Sequence, residues 1–526
     1  MAPLDPAFTN SNLAPTSLFL AYLAASIGLT TLVCRAKVFT AFRNLPPSQD
    51  TRFRQSNRQK HVRLFAWLAS ISLATAWYQL ARILILSYHA WAHNMNEALP
   101  TWPYSLDSYN RLMLGRWLAD TAPLSVDAWE IIMEGGTRFW WAQQLFLGTG
   151  AWAVFVGIEG KRRRIRHLWA YILLGPLVAR SFAMNLFFLA VLLAPVPLPA
   201  RGSSKKASHV RSASQATDQA PTPSVLTLIF DWMKLHLSPL PTHPHPEDWH
   251  PYPWEVLLQL SALHVITWLL PYTTGTPLFN GLILANFAIL FRVVYPNRLA
   301  PFARGSRSFT PTQLKHNYLK IYRWIAIGSL ALHAKQTFVA IIDNDPGAHR
   351  HRHSEYLAML HLPHEKERGM FARTLLAVDG VLQTLGNHPA TARIGWDVLL
   401  CAITLATWAA VRGLDVHKMF AATGFGKIPD MVEAVAETAS STVAKAKPGR
   451  KRRSKATEDV LEDERAEDDR AAEDDETYQP VEGQDNTWHG EEEDSQDAEA
   501  GAVAGAMFVV GGLGVLSSAV LGAEDI

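Results

Sequence analysis

The chain has 526 residues, 48% of them hydrophobic and 18% charged. Such a length would hold several soluble domains, but the apolar residues fall in blocks of about 19–27, the size of membrane spans rather than of core strands. The balance of 49 basic and 47 acidic residues conceals an apolar, basic body and an acidic tail, with 20 acids between Glu458 and Ala500 against only Arg465 and Arg470. These features exclude a secreted domain, a cytosolic enzyme and a nuclear factor, and basic charge in such a body marks cytosolic loops rather than a nucleic-acid footprint.

Taken in chain order, the pattern predicts eight spans: roughly 16–34, 64–90, 139–159, 168–194, 254–271, 277–295, 321–342 and 394–412. Asp5 is the only charge before the first block and there is no basic n-region, so the first span itself serves for insertion. A ninth apolar stretch, 501–523, is rich in small residues and reads either as a tail anchor or as a disordered apolar tail. The fold class is therefore an all-α polytopic membrane bundle of about eight spans (7–9) with a disordered acidic C-terminal tail. Its parts are an N-terminal bundle 1–198, a flexible Ser/Pro/His-rich linker 199–253, a C-terminal bundle 254–415, a basic-then-acidic tail 416–500 and the apolar end 501–526.

Orientation follows from loop charge. The loop 35–63 has eight Lys/Arg and one acid, Asp50; 160–167 reads GKRRRIRH; and 296–320 is basic without an acid. All three belong in the cytosol. Eight alternating spans would put the last of them on the wrong side, so one crossing is miscounted. Block 168–198 is too long for one straight span, contains Gly175-Pro176 and Arg180, and is one repair, as a re-entrant pair; 223–237 is another. Either repair puts 343–393 in the lumen and the tail in the cytosol, in a multi-pass protein of the endomembrane system, the endoplasmic reticulum first.

Ionisable groups within spans are costly and mark function or helix–helix pairing. Here they are Arg82, Arg180, His264, His333, Lys335 and Asp397, with Asn185 and Asn286 as polar companions. Asp397 has Arg393 four residues before it, and either pairs with Arg82 or Arg180 or exchanges protons. The stretch VDAWEIIMEGGTRFWWAQQLFLGTGAW, residues 126–152, sets Asp127, Glu130 and Glu134 on one helical side, followed by Trp140, Trp141, Gln143 and Gln144. An acid beside tryptophans favours its neutral form and can donate a proton, while indole faces stabilise cations. The same stretch also reads as an amphipathic interfacial helix entering an aromatic belt. Trp254, Glu255 and Trp268 repeat the theme, with Glu255 as either a helix N-terminal carboxylate or a second acid/base group.

His243, His245 and His250 cluster in one loop, and His349, His351, His353, His361 and His364 in another. Their spacing suits a metal, but interleaved arginines disfavour a cation, and we expect no metal site. With only Cys34 and Cys401 there is no Cys-based zinc site and no disulfide framework. Phosphate-cradling, dinucleotide, nucleophile-elbow and zincin motifs do not occur, so no cofactor is expected. Paired aspartates occur only in the acidic tail, which argues against diphosphate ionisation on magnesium.

The segment Arg138-Phe139-Trp140-Trp141-Ala142-Gln143-Gln144, the following GTGAW and the basic GKRRRIRHLWAYILLG at 160–175 resemble fungal polytopic membrane proteins. The layout over roughly 15–415 resembles the membrane-bound terpene cyclases of fungal meroterpenoid pathways, of the ascofuranone/macrophorin type. That resemblance implies protonation and cyclisation of a farnesyl-type chain in a membrane pocket. Glu134 is then the candidate acid, Asp397 or Glu255 the base, and Trp140, Trp141, Trp254 and Trp268 the substrate lining. Partners would be an apolar prenylated small molecule and the lipid bilayer, with no nucleic acid and with a protein partner recruited by the acidic tail. The competing readings are a non-enzymatic transporter or endomembrane scaffold, and a lipid-modifying metalloenzyme using the loop histidines.

Overall fold

The structure, a computed structural model, describes residues 13–34, 55–95, 114–120, 124–194, 250–296, 305–306, 309–343, 370–426 and 489–525. The linker 195–249, the histidine loop 344–369 and most of the acidic tail lie outside these residues. The described part is helical apart from turns and one short antiparallel pair, His250–Pro251 (β1) with Gly305–Ser306 (β2). In chain order the helices are α1 (Leu13–Val33), α2 (Gln55–Asn94), α3 (Leu114–Asp120), α4 (Leu124–Met133), α5 (Gly136–Arg162), α6 (Leu168–Leu177) and α7 (Arg180–Leu193). They continue with α8 (Pro253–Leu269), α9 (Pro277–Val294), α10 (Pro311–Asp343), α11 (Met370–Asn387), α12 (Pro389–Arg412), α13 (Val416–Thr423) and α14 (His489–Asp525).

The distribution of side chains is that of a protein solvated by lipid. Large apolar residues stand on the outer face, including Trp67 (71% exposed), Leu258 and Leu284, while Arg58, Glu159, Arg163, Arg180, Asp397, Arg412 and Glu524 are buried. Water would select the reverse pattern. Among the described residues, six helices are long and apolar enough to cross a membrane: Arg58–Asn94, Pro253–Tyr272, Pro277–Val294, Thr312–Ile342, Pro389–Arg412 and Ala498–Glu524. The protein is an all-α, multi-pass membrane bundle.

Block 168–194 is not one span. It breaks at Val178–Ala179 into α6, 10 residues long, and α7, 14 residues long. At 1.5 Å per residue neither crosses a hydrocarbon core of about 30 Å. The two halves return to the same end of the bundle. Leu168, at the start of α6, packs on Gly160 near the end of α5. The end of α7 lies beside the same turn, where Arg163 donates to the Val191 and Ala194 carbonyls and Arg58 to that of Leu192. These guanidinium groups satisfy the carbonyls that a helix C-terminus leaves open. The segment is a re-entrant hairpin, the first of the two repairs that loop charge demands. Every residue of α7 is buried.

The ninth apolar stretch belongs to α14 and is the most buried of the six: 67% of its apolar window lies inside the bundle, against 44% for Pro389–Arg412. It is neither a peripheral anchor nor a loose tail. Its helix is interrupted at Gly512, whose φ of 70° lies in the left-handed region that glycine tolerates. A straight helix would put Gly501 and Glu524 about 35 Å apart. Instead both meet the last turns of α12. A Cβ on Gly501 would lie 3.4 Å from Ala410, and Glu524 forms a buried, two-point ion pair with Arg412. Thus α14 also enters and turns back. Its small residues permit close approach: Gly514 faces Ser329, Gly522 faces Tyr322, and Leu513 rests on Gly148.

Seven helices (α1, α2, α5, α8, α9, α10 and α12) then run through the bundle among the described residues. Both hairpins enter from the end where α5 and α12 finish. The turn 160–167 lies at that end, and so does the start of 296–310, since Tyr295 accepts a hydrogen bond from the Trp169 amide at 3.0 Å. One end therefore carries Arg58, the basic turn 160–167 and the point where the chain enters 296–310. The core there is aromatic, with Phe188 stacked on Trp408 at 4.2 Å and Phe65, Trp152, Phe155 and Phe187 edge-on around them. After α12 the chain turns through Gly413 (φ 52°), and Asp415 caps α13, so residues just past 415 are helical.

The Arg412–Glu524 pair fastens the end of α14 to α12. Glu524→Ala leaves a buried guanidinium without its counter-charge and is expected to cost about 3–5 kcal/mol. Replacing both partners with leucine should recover most of that. Thermal unfolding in detergent micelles checks both, and equal losses in the single and double variants would contradict the pairing.

Candidate functional site

Inside a bilayer a broken helix exposes backbone groups that water cannot satisfy. The break between α6 and α7 is closed by two residues one turn apart on α12. The Asp397 carboxylate accepts from the Arg180 amide (2.8 Å), the Ser181 amide (2.8 Å) and the Ser181 hydroxyl (2.6 Å). Arg393 Nη2 donates to the Leu177 and Val178 carbonyls at 3.3 and 3.2 Å and to Tyr22 Oη at 3.4 Å. Tyr22 in turn donates to the Leu177 carbonyl at 2.8 Å. An anion meets the positive end of α7 and a cation meets the negative end of α6, which is the arrangement both half-helix dipoles favour. Asp397 thus engages the backbone of Arg180 rather than its guanidinium, and Arg82 is elsewhere, against Gln79 and the Tyr78 ring.

The Arg180 side chain, 7% exposed, donates from Nη1 to the Thr149 hydroxyl. It lies over Gly175, where a Cβ would come within 3.3 Å of Nε. Deeper in, Asn185 Nδ2 donates to the Ser181 carbonyl and the Thr404 hydroxyl at 2.8 and 3.0 Å.

The hairpin tip forms the polar floor of a cavity of about 1240 Å³. Its walls are apolar and come from α1, α2, α4, α5, α9 and α12, with Phe19, Trp129, Phe146 and Phe287 as ring faces. Trp129 and Phe146 stack at 5.8 Å. Arg180, Arg393 and Asp397 are the charged residues of the lining, and Tyr22, Ser72, Thr75 and Ser181 are among its polar ones. Leu18, 66% exposed, reaches the outer face of the bundle.

A second polar cluster surrounds the break in α14. Gln144 Oε1 accepts from the Leu513 amide at 3.0 Å, and its Nε2 lies 2.8 Å from His333 Nδ1. An amide nitrogen can only donate, so Nδ1 is the acceptor and the His333 proton sits on Nε2. A Cβ on Gly512 would strike Gln144 and come within 2.8 Å of His333. Trp140 packs on the His333 ring and donates to Thr337 Oγ1 at 3.1 Å.

The structure does not gather the sequence-predicted residues into one chamber. Of the predicted acid, bases and lining tryptophans, Asp397 alone lines the cavity. Glu134 follows the end of α4, half-buried, in an ion pair with Arg138 at 3.2 Å. Glu255 is buried in the first turn of α8. Trp141 is buried against α11, donating to the Val381 carbonyl and the Thr384 hydroxyl. Trp254 and Trp268 are exposed on the outer, lipid-facing surface. Sequence reasoning missed Thr149, Ser181 and Trp129, which carry no periodicity or charge signal, and the capping role of Arg393. The loop histidines proposed for a metal lie outside the described residues, save His250, which is 3.4 Å from Tyr318 Oη. Among the described residues no three His, Cys, Asp or Glu side chains converge on a metal position.

A family model described as a protein of unknown function, DUF2834, matches residues 137–191. That segment is α5 with the α6–α7 hairpin, including Gln144, Thr149, Arg180 and Ser181. No curated protein and no solved structure matches the chain.

Asp397→Ala should leave two buried amides and a hydroxyl without acceptors, at roughly 1–3 kcal/mol each before relaxation. Asp397→Asn keeps one acceptor oxygen and should lose less. Melting temperatures of the two purified variants check the order, and an unchanged melting temperature for Asp397→Ala would remove the cap from the account.

Proposed function

We propose that this protein binds a lipid-like molecule with an isoprenoid or similar apolar chain inside the bilayer, presenting the polar end of that guest to the re-entrant tip. The observation that carries this reading is the cavity: apolar walls, one charged and hydrogen-bonded floor, and a rim reaching the lipid-facing surface. Binding sites of this kind orient a largely apolar guest by a few fixed polar groups. A guest dissolved in the membrane reaches such a site sideways, without crossing water.

The chemistry of the floor bears on the cyclase resemblance. Asp397 commits its carboxylate to three hydrogen bonds at the hairpin tip, so its role there is to cap the break. Proton-initiated cyclisation needs an acid in the cavity, and Glu134, bound to Arg138, does not line it. The geometry thus supports guest binding more strongly than cyclisation, and more strongly than a scaffold without a ligand. Loop charge orients the basic end toward the cytosol, where the acidic tail would meet a protein partner.

The test is photolabelling in lipid nanodiscs with a diazirine analogue of farnesol. Labelled peptides are expected from α1, α2 and α12. Ala21→Trp, which fills the cavity from an exposed wall position, should reduce labelling about tenfold, whereas Leu258→Trp on the outer face should not. Equal labelling in both variants would overturn the proposal.

A further inference from the structure

We infer that the guest of this cavity carries an acid at its polar end, a carboxylate received by Arg180; this rests on the binding reading above. The lining holds two cations, Arg180 and Arg393, and one anion, Asp397. The last two are already matched. Asp397 faces the amides that open α7, and Arg393 faces the carbonyls that close α6. Each is set against the opposite partial charge of a half-helix, so neither has charge to spare for a ligand.

Arg180 has no such match. Among the described residues it forms no ion pair, its Nη1 donates to the neutral hydroxyl of Thr149, and its buried Nε has no hydrogen-bond partner. Asp397 is the acid within electrostatic reach of the guanidinium, but its oxygens are taken by the hairpin amides and hydroxyl, and a buried guanidinium without a close ion pair is costly in the interior of a membrane bundle. The surroundings nevertheless make room for it. Gly175 lies beneath the guanidinium, and any side chain there would meet Nε, Cζ and Nη2 at 3.3–3.6 Å. Gly175 itself lines the cavity. A planar fork of donors with an unused N–H, held over a glycine at the foot of an apolar chamber, is the geometry that receives a carboxylate. An alcohol or a hydrocarbon end would leave the charge as it is. The ligand class that follows is a long-chain or prenylated carboxylic acid.

Two photoprobes with the same farnesyl chain test this, one ending in a carboxylate (farnesoic acid) and one in an alcohol (farnesol). They are applied to the full chain in nanodiscs of zwitterionic phosphatidylcholine at a pH where the acid is ionised. The wild-type protein should be labelled at least tenfold more by the acid at equal concentration. Arg180→Gln should bring labelling by the acid down to the level of the alcohol. Equal labelling of the wild type by both probes would overturn the acid specificity while leaving guest binding intact. Labelling by neither would overturn both. The wild-type comparison stands even where Arg180→Gln does not fold.

Discussion

The structure depends on how two interrupted helices satisfy their backbone inside lipid. An unpaired amide or carbonyl there costs far more than in water, so a helix break can persist only where side chains supply partners. At the α6–α7 tip one helix face does both jobs. Arg393 and Asp397, one turn apart on α12, meet a carbonyl end and an amide end of opposite polarity. At the α14 tip the neutral Gln144 suffices, because the break there is a single glycine and frees fewer groups. These partners turn what would be defects into fixed points, and one of them is the floor of the cavity.

Both hairpins enter from the end that holds the basic turn 160–167, and the same end carries the charged fasteners. Arg58 and Arg163 close the carbonyls of α7, Glu159 pairs with Arg163 at 2.7 Å, and Arg412 holds Glu524. The ring packing of Phe65, Phe188 and Trp408 fills the space between them. The interior is thus anchored at one end by arginines and aromatic rings. The cavity lies nearer the opposite side of the α6–α7 tip, where α1 and α12 contribute small residues such as Ala21, Ala25 and Ala390.

Much of this was legible in the sequence. Apolar block length identified the traversing helices, and loop charge alone showed that one crossing was miscounted, with Gly175-Pro176 and Arg180 marking one of the two places to repair it. The α14 hairpin was harder to read. Its composition of small apolar residues fits an anchor as well as a buried element, and only packing against Ser329, Tyr322 and Gly148 separates the two. The site was legible in part. Asp397 and Arg393 stood out as charges in an apolar run, but their partners are backbone groups of a distant helix, which no local pattern encodes. The tryptophans misled for a physical reason: indole rings are favoured at lipid interfaces as well as around ligands, and Trp254 and Trp268 take the first role. Trp129, which lines the cavity, sits in an ordinary amphipathic helix.

The central claim, that α6–α7 and α14 enter the bilayer and return, is tested most directly by sidedness. Single cysteines at Arg166 and at Glu499, in a chain with Cys34 and Cys401 replaced by alanine, are exposed to a membrane-impermeant maleimide in sealed vesicles, and an epitope after Ile526 is probed with antibody. The account predicts that all three are reached from the same face. Reaching Glu499 and the C-terminal epitope from opposite faces would contradict it.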